Sequence, residues 1–126
     1  MQELTLEDVK KAARQAYLDR RLTAQGPVGL RECFYSLGDR CCAIGAAFTP
    51  ETIKLLMEVD QNEECGVTAI SHDIVEFHAI SSVLAIQEAH DAWCDVELPE
   101  LRLKYERRFC DLIETPCLDT SKETLE

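Results

Sequence analysis

The chain has 126 residues, 46% of them hydrophobic and 29% charged, which fits one domain with its own core and excludes a disordered chain. No stretch approaches the roughly 20 apolar residues of a membrane-spanning helix, and the polar residues 1–11 lack the apolar run of an export signal, so a cytoplasmic protein is expected. The net charge of −11 disfavours direct binding to bare nucleic acid or to an anionic membrane, because both attract clustered Lys and Arg.

Thr5 followed three residues later by Asp8 forms a capping-box pattern with Asp in place of Glu. Leu6, Val9, Ala13, Ala16, Tyr17 and Arg20 follow at helical spacing, which predicts a first helix over 6–22. Gln25-Gly26-Pro27-Val28-Gly29 ends it, since Pro cannot continue a helix. Aromatic and small apolar residues flanking Leu37-Gly38-Asp39 predict a β-hairpin over 32–44. Such a hairpin is marginal unless it packs on helices.

Gly45-Ala46-Ala47 reads as a short helical turn, and Thr49-Pro50 as a cap and first position for a helix over 50–59 with Ile53, Leu56 and Met57 on one face. Residues 60–66 form a polar, acidic loop. Ser71 then caps a long central helix through Ile74, Phe77, Ile80, Leu84, Ala85, Ala89, Ala92 and Trp93, with Ser81-Ser82 as a weak point. Pro99 starts a last helix whose apolar face is read as Leu101, Leu103, Tyr105, Phe109, Leu112 and Ile113. The fold class expected is mainly α, with about four helices and one small hairpin in a single domain over 1–118, followed by a flexible acidic tail at 119–126.

Charge is distributed unevenly along this framework. Residues 1–40 carry seven Lys/Arg against six Asp/Glu, and residues 101–126 carry five against six. Residues 41–100 hold one cation, Lys54, against twelve carboxylates, so the whole excess lies in the middle of the chain. A block of this kind steers a basic partner toward it, although acidic faces also serve solubility alone. Glu51, Glu58, Asp60, Glu63, Glu64, Asp73 and Glu76 are the candidate partner-binding residues, with Trp93 as an aromatic anchor if exposed beside them, and Tyr105 or Phe77 in the same role.

The segments Arg40-Cys41-Cys42-Ala43-Ile44-Gly45-Ala46 and Leu84-Ala85-Ile86-Gln87-Glu88-Ala89-His90-Asp91 resemble those of small uncharacterised phage and prophage proteins. That family carries a C-A-I-G element and later an L-Q-x-x-H-D element, with Ile86 standing here where the pattern has Leu. The match covers about twenty residues; it implies a phage context and transfers no catalytic residue. Read physically, the small residues around Gly45 suit close backbone packing, and Cys42, Gly45, Gln87, His90 and Asp91 form a candidate structural motif.

Catalytic and metal chemistry are weakly signalled. His90 and Cys94 at i, i+4 make half of a zinc site, with His78 or a thiolate as a third ligand, but CxxC, HExxH and HxxxH are all absent. A Cys-His-Asp nucleophile through His90 and Asp91 meets the objection that adjacent helical residues diverge by about 100°. The five glycines form no phosphate loop, and the seven cysteines, an odd number without an export signal, read as thiols. Neither cofactor nor metal is therefore expected. The function expected is non-enzymatic: a phage or mobile-element inhibitor that binds a basic host protein or nucleoprotein complex. An immunity or antitoxin-like protein against a basic toxin fits the same charge pattern, and a small Cys/His metal-dependent or thiol enzyme is the alternative from another class. Homodimerisation through an apolar helix face stays open.

Overall fold

The computed structural model describes residues 2–26, 41–59 and 74–118. The fold is mainly α with a small β element, as expected, and among the described residues that element is a two-stranded parallel sheet. Strand β1 (Gln2–Leu4) leads into α1 (Leu6–Leu18), and α2 (Pro50–Val59) follows a 3-10 turn at Gly45–Ala47. Strand β2 (Val75–Phe77) precedes α3 (Ile80–Asp95) and α4 (Pro99–Leu112). No helix among the described residues is long and apolar enough to cross a membrane.

Helix α1 begins as its sequence specifies. The Asp8 amide donates to Thr5 Oγ1 at 3.1 Å and the Thr5 amide donates to Asp8 Oδ2 at 2.9 Å, a complete capping box. It ends at Leu18, four residues before the expected end at 22. Arg20 adopts φ 59°, and the amides of Arg20 and Arg21 donate to the carbonyls of Tyr17 and Ala16. This pair of bonds is a Schellman closure, with arginine in the left-handed position that glycine usually takes. Helix α4 closes in the same way: Glu114 has φ 57°, and Glu114 and Thr115 donate to Asp111 and Cys110.

The two strands pair in parallel, with Gln2 opposite Val75, Glu3 opposite Glu76 and Leu4 opposite Phe77. Val75–Phe77 therefore leaves the expected central helix, which starts only at Ile80 and then runs unbroken through Ser81-Ser82. Pairing with β1 buries Val75 and satisfies the Gln2 and His78 amides on the carbonyls of Ile74 and Leu4, a gain that local periodicity does not register. Of the expected hairpin over 32–44, residues 32–40 lie outside the described residues. Cys41 makes a parallel bridge to Leu22, and Ala43-Ile44 form a turn. The expected acidic loop at 60–66, the Ser71 cap and the tail at 119–126 also lie outside the described residues.

Helices α3 and α4, joined by Val96, Glu97 and Leu98, pack against each other and on α1. Tyr17, Trp93 and Phe109 meet at ring-centroid distances of 5.7–6.2 Å, and all three are fully buried. The inward face of α4 differs from the apolar face expected. It is Arg102, Glu106, Phe109, Cys110 and Ile113, while Leu101 is exposed. Arg102 earns its buried position by donating to the carbonyls of Trp93, Val96 and Ala24 at 2.9, 3.0 and 2.7 Å, which caps the C-terminal end of α3 with a cation.

Candidate functional site

Most of the acidic residues of the middle segment that the structure describes are exposed. Glu51 and Glu58 on α2 and Glu76 on β2 are exposed, as are Glu88, Asp95, Glu97 and Glu100 on and between α3 and α4. Asp60, Glu63, Glu64 and Asp73 lie outside the described residues. The exposed cations Lys11, Arg20, Arg21, Lys104, Arg107 and Arg108 belong to α1, its C-terminal turn and α4, which carry exposed carboxylates as well, and Lys54 on α2 is exposed beside Glu51 and Glu58. Trp93 is fully buried in the aromatic core and is not the exposed anchor considered from the sequence; Phe77 and Tyr105 are half-buried.

Several of these carboxylates stand where a nearby negative charge or helix dipole opposes them. Glu58 and Asp95 occupy the last turns of α2 and α3, where the partial negative charge of the helix end repels them. Glu3 and Glu76 face each other in register on an exposed sheet surface, an arrangement of like charges that costs stability. On α3, Glu88, Asp91 and Asp95 recur at i, i+3 and i+7 and share one stripe.

The segments around Cys42–Gly45 and Gln87–Asp91 meet in space. The Ile44 amide donates to Gln87 Oε1 at 2.9 Å, and Gln87 Nε2 donates to Asp91 Oδ1 at 2.8 Å. The Gly45 amide donates to Cys42 Sγ at 3.2 Å, closing the turn that Gln87 holds. His90 Nε2 accepts from the Ala24 amide at 3.4 Å and lies 3.3 Å from Thr23 Oγ1. With Nε2 accepting, the ring proton sits on Nδ1, which faces Asp91 Oδ1 at 3.3 Å. Adjacent helical residues thus do make this contact, against the sequence-based objection. Because His90 is fully buried and both its nitrogens are occupied, the group works as a clamp that fixes the 22–25 and 41–45 turns on α3. Cys94 joins the clamp, its sulfur 3.8 Å from Thr23 Oγ1.

A second buried polar group was not singled out from the sequence. The Tyr17 hydroxyl donates to Glu106 Oε2, accepts from the Leu118 amide at 2.6 Å and lies 3.8 Å from Cys117 Sγ. Burial, and after it hydrogen bonds to Cys110 and Glu106, pushes the Tyr17 hydroxyl well above its ordinary range and keeps it protonated. Burial likewise pushes the Cys110 thiol up to about 12, and raises that of Cys41. The signal available beforehand was Glu106 and Cys110 at i, i+4 with Cys117 beyond the helix, a spacing outside the common metal motifs.

Comparison with known protein families, with curated proteins and with solved structures finds no match for this chain.

Proposed function

We propose that this protein is a non-enzymatic binding protein that engages a basic protein or nucleoprotein complex through its acidic surface, as an inhibitor encoded by a phage or other mobile element. The observation that carries the reading is the placement of exposed carboxylates against local stability. Glu58 and Asp95 oppose their helix dipoles, and Glu3 and Glu76 oppose each other across β1 and β2. Charges needed only for solubility gain nothing from such positions. Charges that meet Lys and Arg of a partner do, because the like-charge cost is relieved on binding and the field speeds encounter.

The setting in a mobile element rests on the resemblance of the Cys42–Gly45 and Gln87–Asp91 segments to phage proteins. That the clamp joins these segments into one buried unit supports a common structural role for them. Capture of binding proteins from host lysate on the tagged chain, at low and then moderate salt, tests the reading. A basic protein or complex recovered near equal stoichiometry and released by salt is the expected result; recovery of nothing, or of the chain itself, contradicts it.

A further inference from the structure

We propose that Glu106, Cys110 and Cys117 form a zinc site that fastens the segment after α4 to the core. One ligand atom from each of the three lies within 4.8 Å of the others. Zinc takes thiolate sulfur at about 2.3 Å and carboxylate oxygen at about 2.0–2.2 Å in tetrahedral geometry, which places its donors about 3.5–3.8 Å apart. The three atoms therefore need to close by only about 1 Å, within the reach of side-chain rotation.

The backbone is arranged to bring this donor set together. Glu106 and Cys110 project from one face of α4 at i, i+4. Cys117 returns to that face because the chain reverses at Glu114, with φ 57° and the Thr115 amide bonded to the Cys110 carbonyl at 3.0 Å. The Leu118 amide then donates to the Tyr17 hydroxyl, and that hydroxyl donates to Glu106. A ligand carboxylate oriented by a buried hydroxyl is the support that metal sites require around their first ligands. Two sulfurs with one oxygen suit zinc rather than magnesium or calcium, which take oxygen donors. Glu106 and Cys110 are buried, whereas Cys117 is half-exposed, so the ion enters and a fourth ligand, water, binds from the Cys117 side. On binding, both thiols lose their protons to solvent and coordinate as thiolates.

The test uses the full chain, kept reduced, titrated with Zn2+ in competition with a chromophoric chelator, with bound metal counted by native mass spectrometry. One zinc per chain is expected. Cys117→Ser, a change at a half-exposed side chain that leaves the core intact, weakens binding about 100-fold or more, and Tyr17→Phe weakens it about 10-fold. Co2+ in place of zinc gives thiolate-to-cobalt charge-transfer absorption that Cys117→Ser diminishes. Zinc binding unchanged in Cys117→Ser, or no binding by the reduced chain, overturns the proposal. So does a purified chain that carries a Cys110–Cys117 disulfide and takes up no zinc after reduction.

Discussion

The amide of Ile44 donates to the side-chain oxygen of Gln87 at 2.9 Å, across 43 residues of sequence and inside the core. This bond holds the 41–45 turn on α3, and the rest of the Gln87, His90 and Asp91 group extends the hold to Thr23 and Ala24. Gln87→Leu fills similar space but strands the Ile44 N–H away from water. The expected loss is about 1–3 kcal/mol, read as a lower urea midpoint with unchanged slope. Wild-type stability in this variant contradicts the clamp.

The Schellman turns give a second expectation. A left-handed residue other than glycine costs about 1 kcal/mol, so Arg20→Gly stabilises the protein by about 0.5–1 kcal/mol. Glu114→Gly removes the same cost together with the bond that Glu114 accepts from Lys10 Nζ at 3.1 Å, which offsets part of the gain. Thermal unfolding of each variant against wild type checks the sign.

The capping box sets a pH dependence. The Thr5 amide, and after it the Thr5 hydroxyl, hold the Asp8 carboxyl below its ordinary value of 3.8. A depressed folded pKa contributes stability that is fully present above the unfolded value and is lost as pH falls through the folded one. Asp8→Asn is therefore less stable than wild type near neutrality, and the difference shrinks as the solution becomes more acid than the ordinary carboxylate range. Unfolding midpoints of both proteins across an acid series check the sign.

Glu3 and Glu76 make the fourth expectation. Glu76→Lys replaces a like pair with an opposite one and stabilises β1 against β2 by about 0.2–1 kcal/mol at low salt. The same substitution weakens partner binding if the acidic surface acts as proposed. Opposite signs in stability and binding separate a functional carboxylate from a structural one.

Much of the helical framework was legible in the sequence because its signals are local. Thr5 with Asp8, Thr49 before Pro50, and Pro99 each mark a helix start within a few residues, and the structure places helices there. What escaped depends on distant partners. Gln2–Leu4 has no strand pattern of its own and becomes β1 only by pairing with Val75–Phe77 some seventy residues away. Arg102 and Glu106 stand outside the apolar face expected for the last helix, because charge on a helix ordinarily marks its solvent face. They enter the core because the carbonyls of Trp93, Val96 and Ala24 and the hydroxyl of Tyr17 receive them. Helix ends without glycine left no mark at Arg20 or Glu114. Of the candidate surface, the exposure of Glu51, Glu58 and Glu76 followed from the charge block, whereas Trp93 belongs to the aromatic core.

The central claim, recognition of a basic partner by the acidic surface, is tested most directly by comparing the wild-type chain with a Glu88→Lys, Asp95→Lys and Glu97→Lys variant as baits in the same lysate at low salt. Circular dichroism establishes beforehand that both are folded. The account predicts that wild type retains a basic protein or complex near equal stoichiometry and that the variant loses it. Equal recovery of the same proteins by both baits, or recovery of none by either, would contradict it.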